Sequence, residues 1–123
     1  MAADDERVIA VVDDDEAVRD SLNFLLTTCG YRVSTYASAN EFLAECDLCQ
    51  VAGLILDHHM PTLTGLELLA RLRAAGRGLP VLLVTGSPSP EIMARAATLG
   101  VERVLEKPVS DAGLFEFVDS LAA

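Results

Sequence analysis

Three carboxylates, a lysine and a hydroxyl stand out in this chain by where they fall. Asp13 and Asp14 follow the apolar run Val8–Val12, Asp57 closes Val51–Leu56, Thr85 closes Val81–Val84, and Glu106 and Lys107 follow Val101–Leu105. Each of these polar groups sits at the end of a strand-like segment, and none of them falls in its middle. Converging carboxylates repel one another, so such a set calls for a cation. Oxygen-only donors suit Mg²⁺, an octahedral ion that keeps several waters, better than zinc. A lysine and a hydroxyl beside a metal-bound carboxylate are what a phosphoryl group asks for, because phosphoryl transfer is mostly positioning and neutralisation of charge on its oxygens. One of the carboxylates can itself be the nucleophile and become an acyl phosphate.

For these groups to meet, the runs that carry them must lie side by side as parallel strands. Val8–Val12 is nearly continuous in apolar residues, the mark of a strand covered on both faces. Val18, Leu22, Leu25 and Cys29 then recur at helical spacing, with Gly30 at the helix stop. Arg32–Tyr36 reads as a second strand, which ends in nothing chemically notable, and Ser38 as the cap of a helix carrying Phe42 and Leu43. Val51–Leu56 is the third strand, and Leu66, Leu69 and Leu72 share one face of a third helix ending in Ala-Ala-Gly. The fourth strand, Pro80–Val84, has its proline at the start, where a missing N–H is tolerated. A helix over Pro90–Leu99 is closed by Gly100, Val101–Leu105 is a fifth strand, and Leu114, Phe117, Val118 and Leu121 stripe a last helix. This alternation predicts an α/β domain: a doubly wound, five-stranded, mostly parallel sheet with helices on both faces. Ligands of such sheets bind beyond the carboxyl ends of the strands, where the polar residues fall. No linker, repeat or low-complexity stretch divides the chain, so residues 1–123 are expected to form one domain with its core in 7–121.

Composition narrows the function. Hydrophobic residues make up 51% and charged residues 23%, which is globular. Nine basic against 19 acidic residues leave a formal net charge of −10, which argues against nucleic-acid binding by this domain, since phosphate contacts need Lys and Arg. No apolar run approaches the roughly 20 residues of a membrane span. The start, Met1 to Glu6, is acidic where a secretory signal would be basic and then apolar. The three cysteines suit a reducing compartment. Cys46 and Cys49 form a C-x-x-C, but without a second pair, nearby histidines or a following helix they read as plain thiols. The expected location is the cytoplasm.

Val11-Val12-Asp13-Asp14-Asp15, Leu56-Asp57-His58-His59-Met60-Pro61 with Gly65 four residues later, Val84-Thr85-Gly86, and Glu106-Lys107-Pro108 together resemble the receiver domain of two-component response regulators. The likeness is to the CheY-like superfamily, and especially to receivers of transcription regulators. It covers essentially the whole chain and implies the flavodoxin-like (βα)5 fold with strand order 2-1-3-4-5. It further implies that Asp57 accepts a phosphoryl group from a sensor histidine kinase, that Asp14 binds Mg²⁺ directly and Asp13 directly or through water, and that Asp57 and the His59 backbone carbonyl complete the metal's protein ligands. Thr85 and Lys107 would then each bond a phosphoryl oxygen, and Pro108 would follow a cis peptide bond. The domain would be no enzyme in the ordinary sense, catalysing only its own phosphorylation and dephosphorylation. Its output would be a C-terminal DNA-binding domain or a separate effector, with a homodimer formed through the fourth and fifth helices. With the chain ending at Ala123, both a stand-alone receiver and the receiver of a longer regulator are open.

Each residue has a plainer reading taken alone. Asp13 to Glu16 can be an acidic helix start, which is how Asp15 and Glu16 are read. Asp57 can open a turn, and Lys107 can be solvated. Their coincidence at matched strand ends favours the site. His58 reads as structural and His59 as projecting at the mouth of the site, adjacent residues being a poor chelating pair. His59 and Ser87, two residues past Thr85, are expected to set the phosphoryl lifetime. Two features depart from the resemblance. Val104 stands where many receivers carry a Tyr or Phe that swings inward, and Gly86-Ser87-Pro88-Ser89-Pro90 stiffens the approach to the fourth helix. The alternatives are a docking-only degenerate receiver and a small Mg²⁺ phosphatase. The latter would place a second acid two residues past the nucleophile, where this chain has His59.

Overall fold

The computed structural model describes residues 7–101 and 103–121; the acidic start at residues 1–6, residue 102, residues 122–123 and the side chain of Cys49 lie outside that description. Strands β1 (Val8–Val12), β2 (Val33–Tyr36), β3 (Val51–Asp57), β4 (Val81–Thr85) and β5 (Arg103–Glu106) alternate with helices α1 (Glu16–Thr28), α2 (Ala39–Glu45), α3 (Gly65–Ala74), α4 (Pro90–Thr98) and α5 (Asp111–Leu121). A 3₁₀ turn, Leu48–Gln50, leads into β3. All strand pairs are parallel, in the order β2-β1-β3-β4-β5. The fifth strand begins two residues later than the expected Val101, at an edge where Arg103 and Glu106 are exposed.

The two-residue period of the strands sorts the core into two layers. Ala10, Val12, Leu54, Leu56, Val81 and Leu83 face the side that α2, α3 and α4 cover, where they meet Phe42, Leu66, Leu69, Leu72 and Ala96. Ile9, Val11, Ile55, Leu82 and Val84 face α1 and α5, where Leu26, Leu114, Phe117 and Val118 close over them. With both faces buried, the central strands have no polar side to show, which is why their sequences read as unbroken apolar runs.

Helix starts follow the side chains that can accept a backbone N–H. Asp15 caps α1, Ser38 caps α2, and Ser89 caps α4 with Pro90 in its first turn. Thr64 and Glu67 form a reciprocal capping box on α3. The stops at Gly30 and Gly100 take φ of 97° and 74°, the left-handed conformation that ends a helix. Among the described residues, no helix is long and apolar enough to cross a membrane.

Candidate functional site

The carboxyl ends of β1, β3, β4 and β5 bring the five residues to one edge of the sheet. Asp57 is the last residue of β3, beside Val84, and Thr85 is the last of β4, beside Glu106. The backbone N–H of Lys107 donates to the Thr85 carbonyl at 2.9 Å, so the lysine leaves β5 level with the end of β4. The Lys107–Pro108 peptide is cis, as expected. Asp13 lies just past β1, held through its own N–H on the Tyr36 carbonyl at 3.1 Å and through its carbonyl, which accepts from Arg19 Nη1 at 2.7 Å. Its Oδ1 accepts the Asp15 N–H at 2.9 Å, leaving Oδ2 toward the site.

Asp13, Asp57 and Thr85 are buried polar residues, at 4%, 2% and 0% exposure, and Asp14 is exposed at the rim. Lys107 Nζ lies 3.2 Å from Asp57 Oδ1 and 3.3 Å from Asp13 Oδ2. Burial works against the lysine's charge, but the two carboxylates outweigh it and hold the ammonium above its ordinary range. Burial pushes the Asp57 carboxyl up, and the Asp13 charge pushes the same way, against Lys107 and the His59 N–H that reaches Oδ1 at 3.4 Å. Beneath the group, a cleft of about 440 Å³ between α1 and the Pro108–Val109 segment is lined by Val11, Val18, Leu22, Ile55, Val84 and Val109, an apolar floor that keeps the local dielectric low.

The carboxylate oxygens of Asp13, Asp14 and Asp57 lie within 4.8 Å of one another. One ammonium cannot balance three carboxylates, and Asp57 Oδ2 is buried with no hydrogen-bond partner among the described residues. A buried orphan of this kind needs an explanation. An all-oxygen donor set with surplus negative charge fits a hard divalent cation such as Mg²⁺.

The family model of the response regulator receiver domain matches residues 9–119. The chain belongs to that family. It is 38% identical over 112 residues to the transcriptional regulatory protein FixJ of Bradyrhizobium diazoefficiens, covering 91% of this chain and 55% of FixJ. It is 36% identical over 105 residues to the C4-dicarboxylate transport transcriptional regulatory protein DctR of Rhodobacter capsulatus, covering 84% of this chain and 53% of DctR. This receiver domain therefore spans about half the length of those relatives. The fold superposes on the chemotaxis protein CheY4 of Vibrio cholerae with a TM-score of 0.84 at 27% identity, over 94% of this chain and 98% of that one.

Within the receiver, the two histidines divide. His58 is half-buried, its Nδ1 faces the Leu66 N–H at 3.4 Å, and burial together with neighbouring His59 pushes its pKa down. Exposed His59 reaches across the site to Thr85, its Nε2 2.8 Å from the hydroxyl. The rings meet edge to face with centroids 4.9 Å apart, closer than adjacency alone suggests, while these nitrogens serve different partners. Val104 is half-buried against the layer under α2, α3 and α4. Cys46 is half-buried and free, at the C-terminal end of α2. Two site contacts had no sequence signal: Arg19, one turn into α1, on the Asp13 carbonyl, and the His59–Thr85 bond between residues 26 positions apart.

Proposed function

We propose that this receiver is a phosphorylation-controlled switch in which Asp57 takes a phosphoryl group from the phosphohistidine of a sensor kinase. An Asp57 carboxylate oxygen attacks phosphorus, the P–N bond breaks as the P–O bond forms, and the electron pair stays on the donor imidazole, which takes up a proton. Asp13, Asp14, Asp57 and the His59 carbonyl are the protein ligands for Mg²⁺, which when bound supplies charge neutralisation to the transferring group. Lys107 already bridges Asp57 and Asp13, so its ammonium meets one phosphoryl oxygen without travelling far. Thr85, at the neighbouring strand end, donates to another. Hydrolysis returns Asp57 to its carboxylate, and His59 and Ser87 at the rim set how fast. That role fails if replacing both leaves the dephosphorylation rate of labelled protein unchanged.

The observation that carries this reading is the orphaned, buried Asp57 Oδ2 on a carboxylate whose Oδ1 holds the Lys107 ammonium and which clusters with Asp13 and Asp14. The added charge on Asp57 is read out locally and passed to a surface that controls an effector. By analogy with FixJ and DctR, which are transcriptional regulatory proteins, that effector is a DNA-binding output domain; the receiver resemblance makes α4 and α5 the face for a second copy. The phosphatase alternative has no support at His59, whose ring bonds Thr85.

The deciding experiment is intact-protein mass after incubation with acetyl phosphate, with and without Mg²⁺, for the natural chain and Asp57→Ala. One added phosphoryl group that requires both Mg²⁺ and Asp57 is the expected result. No gain in a folded protein overturns the switch in favour of a docking-only domain.

A further inference from the structure

Thr85 is fully buried, yet its hydroxyl is engaged at the rim of the site and not with the carboxylates. Oγ1 accepts the Ser87 N–H at 3.1 Å and lies 2.8 Å from His59 Nε2, while the ion pairs of Asp57 and Asp13 go to Lys107. A hydroxyl has two acceptor sites and a single proton to give. A phosphoryl oxygen on Asp57 can only accept, so it needs that proton.

We infer that His59 is a resting-state latch on Thr85: its Nε2 accepts the Thr85 hydroxyl proton, and a phosphoryl group on Asp57 must win that proton before the switch can turn. The inference rests on the receiver reading and deepens it. It makes His59 a positioning residue, acting on the phosphoryl group through Thr85. It also requires the imidazole to carry its own proton on Nδ1, toward solvent. His59 is exposed and follows Asp57 by two residues, so its backbone N–H stays on Asp57 Oδ1 while the ring is free to let go of Thr85.

The test titrates the whole domain with beryllofluoride in Mg²⁺, followed by the Ser87 amide in NMR, in a double-mutant cycle. The variants are His59→Phe, which keeps the bulk without the nitrogen, and His59→Gln, whose amide reaches the same position, each with Thr85 and with Thr85→Val. Half-saturation is expected to fall about two- to tenfold in His59→Phe, the range one hydrogen bond spans. It should return toward the natural value in His59→Gln, and the Phe effect should vanish beside Thr85→Val. The ¹⁵N shifts of the resting His59 ring should report the Nδ1–H tautomer. An Nε2–H tautomer, no change in His59→Phe, or a change that persists beside Thr85→Val overturns the latch. If the natural chain itself ignores beryllofluoride, the receiver reading falls first and takes the latch with it.

Discussion

The Cα of Gly65, first residue of α3, lies so close to the end of β3 that a Cβ there would sit 2.5 Å from the carbonyl oxygen of Asp57 and 2.9 Å from the His58 Cα. The Gly65 N–H donates to the His58 carbonyl at 3.0 Å, which fixes the approach. Both neighbours are backbone, so neither can rotate away from a methyl group. Gly65→Ala should therefore push the acceptor strand and α3 apart, costing about 1–3 kcal/mol as overpacking does. Urea denaturation would register the loss, and acetyl phosphate labelling should slow with it because Asp57 is displaced. Labelling at the natural rate would show that the glycine serves the fold without serving the site.

The raised Asp57 carboxyl makes a signed prediction about pH. A folded pKa above the unfolded one means the native state holds its proton longer, so this group's contribution is full below the ordinary carboxylate range and is lost as pH rises through the folded value. At neutral pH the ionised Asp57 is thus a liability to the unliganded fold. Asp57→Asn should stabilise the domain at pH 7 without Mg²⁺ by about 1 kcal/mol, the low end of the desolvation penalty a buried polar group carries, with Lys107 still paired to Asp13. The advantage should shrink as pH falls into the carboxylate range. Thermal unfolding across pH decides it, and an advantage that stays constant with pH would mean that ionisation of Asp57 is not its source.

The sheet and its site were legible because both rest on local signals. Apolar runs mark buried parallel strands, and the polar residue that ends each run is where the chain leaves the sheet. Side-chain contacts across the site were not legible, since neither Arg19 on the Asp13 carbonyl, six residues away, nor His59 on Thr85, 26 away, leaves a periodic trace. Nor was Thr62, which takes φ of 72° in a tight turn where the Leu63 N–H bonds the Pro61 carbonyl at 2.8 Å. A β-branched residue is the last type expected there. Thr62→Asn should accordingly raise stability by about 1 kcal/mol, measured by urea midpoint. A lower midpoint would mean that the Thr62 side chain contributes something the turn alone does not explain.

Arg73 anchors the far end of α4. Its Nε donates to the Leu99 carbonyl at 2.7 Å, its Nη1 to those of Arg77 and Leu79 at 2.9 Å, and its Nη2 to that of Gly100 at 3.3 Å. One planar fork thus ties the end of α3, the approach to β4 and the stop of α4 together, a pattern lysine cannot copy. Arg73→Lys should lower stability by about 1.5–3 kcal/mol, the worth of a hydrogen bond to a charged donor. Hydrogen exchange should then rise at residues 99–101 and leave β1 and β3 protected. Uniform loss of protection would place Arg73 in the global fold and deny it the anchoring role.

Lys107 ties the electrostatics of the site together, because among the described residues it is the cation that faces both buried carboxylates. Its raised pKa means the stability it brings is complete below the ordinary lysine range and fades only as pH climbs through the folded value, so it is fully present at neutrality. Lys107→Met leaves Asp13 and Asp57 facing each other without their ammonium. Breaking such a pair costs several kcal/mol when buried; with the lysine partly exposed, about 1–3 kcal/mol is expected at pH 7. Adding Asp57→Asn to Lys107→Met should recover part of that loss by removing one of the two opposed charges. Mg²⁺ should recover part of it in Lys107→Met alone, where Asp13, Asp14 and Asp57 all remain. Urea midpoints for the two variants, with and without Mg²⁺, separate the possibilities. If neither the second substitution nor the cation restores stability, the loss comes from the packing of the lysine's methylenes and not from the charge it places between two acids.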